Sequence, residues 1–144
     1  MQEQNQGRYD VQRVRALTHD IPFAMFTTVI ADGSLRSRPM VASADSFDGT
    51  AVWFFTRASS PVAQEIAGQG HVNVTYVSAP EDRFVSVSGK AEVVRDVERA
   101  TQMWNPSYAS WFAGGPEDAE LGMIKITVSR IEYWDRKIGR MQQL

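Results

Sequence analysis

Two arginines, Arg36 and Arg38, stand two residues apart in the segment Arg36-Ser37-Arg38-Pro39-Met40. On an extended strand, residues two apart share a face, so both guanidiniums point the same way. Each guanidinium presents a planar set of donors that can bind a phosphate or carboxylate bidentately, so the pair can hold an anion. The same spacing equally describes a strand face whose arginines pair with acidic neighbours. Pro39 adds a second clue, because a residue without an N–H is tolerated in strands at edges, at bulges, or where the backbone meets something else, such as a ligand. A further polar cluster follows the apolar run Trp53-Phe54-Phe55-Thr56, where Arg57, Ser59 and Ser60 lead into Pro61. Serine followed by proline starts helices, and helix N-termini attract anions through unsatisfied N–H groups and the dipole. The alternative is that Ser59 or Ser60 simply caps its own helix.

Other chemistries are nearly excluded. With 0 Cys there is no disulfide framework, thiolate metal site or cysteine nucleophile, and 2 His leave little for a zinc site or a catalytic triad. His19 follows a helical pattern and His71 opens a strand, and neither is assigned a catalytic role. Lys plus Arg at 15 against Asp plus Glu at 17 leaves a formal charge of -2, which gives no global drive toward nucleic acid or acidic membranes. The segment Trp104-Asn105-Pro106-Ser107-Tyr108 with Trp111-Phe112 has the aromatics of a base-stacking platform but no interleaved Lys or Arg. It is expected to pack over the mouth of the fold or at the rim of a substrate cleft, with the Gly114-Gly115-Pro116 loop placed to gate access.

The elements that must position these residues are legible from periodicity. Val11, Val14, Leu17 and Ile21 recur at helical spacing and predict a helix over roughly residues 9 to 19, ended by Pro22. Phe23 to Ile30 then reads as a buried strand, and Asp32-Gly33 as a hairpin turn returning a second strand over Leu35 to Ala44. Asp48-Gly49 repeats the turn signal before a third strand, Val52 to Thr56. A short helix follows from Ser59-Ser60-Pro61 to Gly68, then two alternating strands around residues 72–77 and 84–93 joined at Ala79-Pro80-Glu81-Asp82. Residues 96 to 113 read as two helical pieces broken at Asn105-Pro106, and a last strand runs from about Met123 to Trp134. Hairpin-linked strands that outnumber short helices predict a small antiparallel barrel with helices outside.

At 144 residues, with 43% hydrophobic and 22% charged residues, the chain has the size and composition of one folded domain with a real core. The domain is expected to span 1–144, with 1–8 flexible. The polar start MQEQNQGRYD lacks the pattern of a secretory signal, and no run approaches the ~20 apolar residues of a membrane helix. A soluble, cytoplasmic protein is expected.

The ordered segments Phe23-Ala24-Met25-Phe26-Thr27-Thr28, Asp32-Gly33, Arg36-Ser37-Arg38-Pro39-Met40, Trp53-Phe54-Phe55-Thr56, Val85-Ser86-Val87-Ser88-Gly89, Trp104-Asn105-Pro106, Trp111-Phe112, Gly114-Gly115 and Tyr133-Trp134-Asp135 resemble the general stress protein branch of the pyridoxamine 5'-phosphate oxidase-like flavin-binding proteins. The likeness runs from about residue 10 to 135. It implies a split β-barrel of about six antiparallel strands with short peripheral helices, mainly β in class. It also implies a homodimer that binds FMN in two clefts along the subunit interface. Residues Arg38, Pro39 and Met40 match the family stretch beside the isoalloxazine and ribityl chain, with Arg36 or Arg38 reaching the phosphate and Ser37 between them. Phe55 and Thr56 match the aromatic-Thr pair at the end of the third strand, and Ser59 and Ser60 the phosphate loop. Trp134 matches a late aromatic that closes the cleft from the partner subunit. No metal is implied, and no catalytic residue is singled out.

One position departs from the family pattern: Val62 stands where a lysine is usual, which predicts loosely held FMN. The resemblance implies a small FMN-dependent oxidoreductase or flavin carrier of the stress type, acting on an unidentified small molecule. A true pyridoxamine phosphate oxidase is disfavoured, since a second phosphate needs more basic residues than the tail Arg136-Lys137-Ile138-Gly139-Arg140 offers. The alternative is a barrel that has lost redox function and serves as a ligand-binding or interaction module.

Overall fold

The computed structural model describes residues 9–43 and 45–144. Residues 1–8, expected to be flexible, and Ala44, the expected end of the second strand, lie outside them. Asp10 caps the first helix, α1 (Val11–Thr18), by accepting the N–H groups of Gln12 and Arg13, and Val14 turns into the core. Seven strands follow: β1 (Phe23–Val29), β2 (Leu35–Val41), β3 (Ala51–Arg57), β4 (His71–Ser78), β5 (Arg83–Val94), β6 (Leu121–Asp135) and β7 (Arg140–Gln143). Helix α2 (Pro61–Gly68) separates β3 from β4. Helix α3 (Val97–Met103) and two 3-10 turns, Pro106–Ser110 and Gly115–Glu117, separate β5 from β6. None of the described helices is long and apolar enough to cross a membrane.

All strand pairs are antiparallel, in the order β2-β1-β4-β5-β6-β3, with β7 paired to the far end of β6. The β1–β2 hairpin closes at Asp32-Gly33, where Gly33 takes the positive φ of 88° that the turn demands. The sheet path ends at β2 and β3, which do not pair with each other. Nevertheless the rings of Phe26 on β1 and Phe54 on β3 come within 6.2 Å across the core. The sheet therefore curls until its two ends face each other across a gap: an unclosed, split barrel rather than a sealed one.

The interior is filled by Phe26, Phe54, Val74, Val85, Val87, Ile124, Ile126 and Ile131, all essentially inaccessible. Each such side chain contributes roughly 1.5–3 kcal/mol of burial, so this layer sets the sheet's register. A second cluster lies on the opposite face of β3 and β6. There Ala51, Trp53, Leu121 and Met123 are covered by Ala100 and Met103 of α3 and by Phe112. This explains why β3 is apolar without alternation: both of its faces are buried.

The near-continuous apolar run of β1 has a different cause, and the expectation of a buried strand needs correcting. Ala24, Phe26 and Thr28 face the core, but Phe23 is 60% and Met25 44% exposed, because the outer face of the sheet at β1, unlike that at β3 and β6, carries no covering layer among the described residues. The register continues that face as one apolar row. Val41 pairs with Phe23, Val77 with Phe84 and Trp134 with Met141, the three pairs lying side by side on adjacent strands. The expected count of about six strands also becomes seven. β6 runs past Trp134 to Asp135, and the tail turns at Gly139 (φ 68°) to return as β7. β7 is short and largely exposed, so it leaves little periodic signal.

Candidate functional site

Arg36 and Arg38 do share a face of β2, on the core side, opposite Thr28 and Phe26 of β1. What they meet there is Glu65, from the middle of α2. Arg36 donates through Nη1 to Glu65 Oε2 at 2.9 Å, and Arg38 through Nη2 to Glu65 Oε1 at 2.5 Å. Arg38 Nη1 also donates to the Thr28 hydroxyl (2.9 Å) and the Phe26 carbonyl (3.3 Å), while Thr28 donates to Glu65 Oε1 (2.8 Å). Burial alone would push the Glu65 carboxyl up, but the Thr28 hydroxyl and the Arg38 and Arg36 charges outweigh it and hold it below its ordinary range. Two guanidiniums against one carboxylate leave a net charge of about +1 in the cluster. Arg36, with its side chain 56% exposed, keeps donors free toward solvent. The arginines are thus paired with an acid, and a positive charge remains.

The gap between the barrel ends forms a cleft of ≈ 250 Å³. Pro39, Met40 and Val41 of the β2 edge form one wall, Phe54, Phe55 and Arg57 of β3 the floor, and Tyr108, Trp111 and Phe112 the opposite wall. Pro39 is tolerated because β2 is an edge strand. Ala42 donates to the Pro22 carbonyl, so by strand alternation the even-numbered residues of β2 bond toward β1 and residue 39 faces away from the ladder. Phe55 is the hub of the aromatic wall, its ring 5.1 Å from Tyr108, 6.1 Å from Trp104 and 6.4 Å from Phe112. The Trp104–Phe112 segment therefore does rim a cleft, as its composition suggested.

The expected gate beside it is tied down. Arg95 donates to the carbonyls of Glu117, Asp118 and Leu121, and the Asp118 carboxylate accepts the N–H groups of Gly114 and Glu120. Arg57 anchors the wall from the other side, donating to the Trp111 carbonyl at 2.6 Å with its guanidinium over the Phe112 ring. These bonds make the loop a strap rather than a hinge.

The remaining expected residues divide. Ser60 caps α2 through the N–H of Ala63 and bonds the Thr56 hydroxyl at 3.1 Å, whereas Ser59 donates to Glu120. Val62 is half-buried and packs on the main core. Ser37 lies on the outer face, bonded to Thr27 at 2.6 Å, away from the two arginines. Trp134 also lies on the outer face, in the apolar row, and is not part of its own chain's cleft. Glu65 is the residue that the sequence reading missed. Its partners sit 27 and 29 positions away, and the only available signal was its place on the helix that follows the arginine strand. No group of His, Asp or Glu among the described residues is arranged to hold a metal ion.

A curled, unclosed antiparallel sheet with a cleft between its free edges and arginines on one of them defines the split-barrel class. The chain belongs to the pyridoxamine 5'-phosphate oxidase like family, whose model matches residues 9–144. Among solved structures it is similar to the General Stress Protein 26 of Bacillus anthracis, at 19% identity and a TM-score of 0.76, covering 93% of this chain and 98% of that one. It is also similar to the general stress FMN/FAD binding protein of Xanthomonas citri, at 28% identity and a TM-score of 0.69, with 86% of each chain covered. Among curated proteins it matches the protein bli-3 of Neurospora crassa, 29% identical over 120 residues, or 77% of this chain. The chain spans 57% of that relative's length.

Proposed function

We propose that this protein binds FMN in the cleft between β2 and β3 and works as a flavin-dependent oxidoreductase of the general stress type, as a cytoplasmic homodimer. The observation that carries the reading is that one apolar slot brings Phe55 of β3 against Pro39 and Met40 of β2, three of the expected flavin-site residues, with Arg36 and Arg38 further along the β2 strand. An apolar slot suits a flat ring system, and the residual positive charge on the strand that forms one of its walls suits a phosphate, so the residues fit the group. When bound, the flavin supplies the redox chemistry, which explains how a chain without Cys and with two unassigned histidines can be an enzyme. The chain's own contribution is placement. The β2 edge and Phe55 hold a ring, Arg36 and Arg38 present donors whose orientation Glu65 and Thr28 fix, and the aromatic wall keeps water from one side.

A cleft of ≈ 250 Å³ falls below the ~300–1,000 Å³ usual for a small-molecule site. That supports completion of the site by a second copy, with the outer-face row ending in Trp134 as the surface that brings it. The competing reading, a non-redox ligand-binding module, is favoured by one observation: Glu65 already answers both arginines, and Val62 cannot add a charge. The two readings separate on Arg38→Ala, measured by flavin fluorescence titration. A phosphate role predicts FMN weakened about ten- to hundredfold with riboflavin, which lacks the phosphate, nearly unchanged. Equal losses for both ligands would reassign Arg38 to folding.

A further inference from the structure

The wall formed by residues 104–112 carries features that holding a flavin ring does not require. Trp111 is 50% exposed at the rim, stacked on Tyr108 with centroids 5.9 Å apart at 30°. Burial raises the Tyr108 hydroxyl above its ordinary range, so the wall stays neutral at any physiological pH. The one cation that lines the cleft, Arg57, is committed to the Trp111 carbonyl and lies close enough to Asp118 to help hold that carboxyl low, after the N–H groups of Gly114 and Glu120. On the β2 wall Pro39 has no N–H, which leaves Val41 as the strand residue whose N–H and carbonyl face the gap. The rest of the lining is Met40, Phe54, Phe55, Met103 and Phe112, with Ser43, whose hydroxyl accepts the N–H of Asp45. A phosphoryl or carboxylate group entering at this wall, whose lining includes neither Arg36 nor Arg38, would lose its hydration and meet neither an uncommitted cation nor a nest of donors. A flat uncharged ring would instead find aromatic faces, an apolar floor and one strand-edge hydrogen-bonding residue.

We propose that the mouth of the cleft, between Val41 and the Tyr108–Trp111 stack, binds uncharged planar aromatic molecules of one or two rings, and that these are the substrate class of the flavin site. The second half of the proposal rests on the flavin reading above; the first half does not. In this assignment Trp111 is a specificity-determining residue, since its exposed face is the surface on which the ring stacks.

A matched pair of probes that differ in charge alone tests the assignment: 1-naphthol and 1-naphthyl phosphate, titrated calorimetrically into the intact protein with and without saturating FMN. The naphthol is expected to bind in both conditions, and the phosphate ester about tenfold or more weaker. Trp111→Ala should weaken naphthol about five- to tenfold, and Trp111→Phe should restore most of the loss, because a ring is regained at the same place. The substituted side chain is half exposed and Arg57 bonds its backbone carbonyl, so the fold tolerates both variants. Binding of the ester as tight as the naphthol, an unchanged affinity in Trp111→Ala, or no naphthol binding at all overturns the proposal. Loss of naphthol binding when FMN is added overturns it too, since the cleft mouth would then be the ring's own seat. Naphthol binding in a protein that takes up no FMN would remove the flavin reading and leave an aromatic-binding site.

Discussion

Glu65 governs the chemistry of the site at the scale of single residues. Its carboxylate, carried on α2, receives three donors with its side chain 11% exposed, so it is a largely buried anion whose charge is matched by Arg38 and Arg36. A carboxyl held below its ordinary range stabilises the fold while ionised in the native state. That contribution is fully present above the unfolded value of about 4.3 and is lost as pH falls through the lower native value. Asp48 adds to the same acid limb. Burial would raise it, but the Trp53 indole N–H, the backbone N–H groups of Ala51 and Thr50, and Arg99 together hold it low. Thermal melts between pH 3 and 7 should show a plateau above about pH 5 and a steep fall below pH 4.5. Glu65→Gln should cost about 1.5–3 kcal/mol on the plateau and flatten the acid limb. An acid limb as steep in the variant as in the parent would assign it to other carboxylates.

Among the elements, the β5–β6 ladder is the spine of the sheet, and it contains a register shift at Ser88/Gly89. A Cβ on Gly89 would lie 2.3 Å from the Thr127 carbonyl oxygen and 2.9 Å from Ile126 Cγ2, so the two backbones approach as closely as they do because no side chain intervenes. Gly89→Ala should therefore destabilise the protein by roughly 1–3 kcal/mol, read as a lower denaturation midpoint, with the flavin site left chemically intact. An unchanged midpoint would mean that the bulge absorbs a methyl group.

The elements most legible in the sequence were those fixed by local chemistry. The Asp32-Gly33 turn, the Ser60-Pro61 helix start and the Asn105-Pro106 break all fall where residue conformations alone place them. The exposure of one face of β1 and the closing contact between Arg38 and Glu65 were not legible. Periodicity reports a strand's own pattern but not which face a distant element covers. The slot residues Pro39, Met40 and Phe55 could be named from the sequence by family likeness, whereas their meeting across the gap depends on the curl of the whole sheet.

For the whole molecule, the uncovered outer face is the feature that remains unbalanced. Phe23, Val41, Val77, Trp134 and Met141 are all at least 37% exposed and, with half-buried Phe84 between Val77 and Trp134, form one row across six strands, a contiguous apolar surface of the kind that marks an interface. If that row is the subunit interface, Phe23→Asp should convert a dimer to a monomer of 16.1 kDa in sedimentation at micromolar concentration and weaken FMN binding with it. A parent protein that sediments as a monomer would remove the interface from this account.

Every role assigned to the cleft residues requires flavin to enter between the free barrel edges, and an absorbance titration of FMN into purified protein is the decisive measurement. The flavin bands should shift and resolve with saturation at one FMN per chain, and should do so at lower concentration than with riboflavin. Bands that stay unperturbed up to high micromolar protein, in a sample that melts cooperatively, would contradict it and leave the split barrel as a module for another ligand.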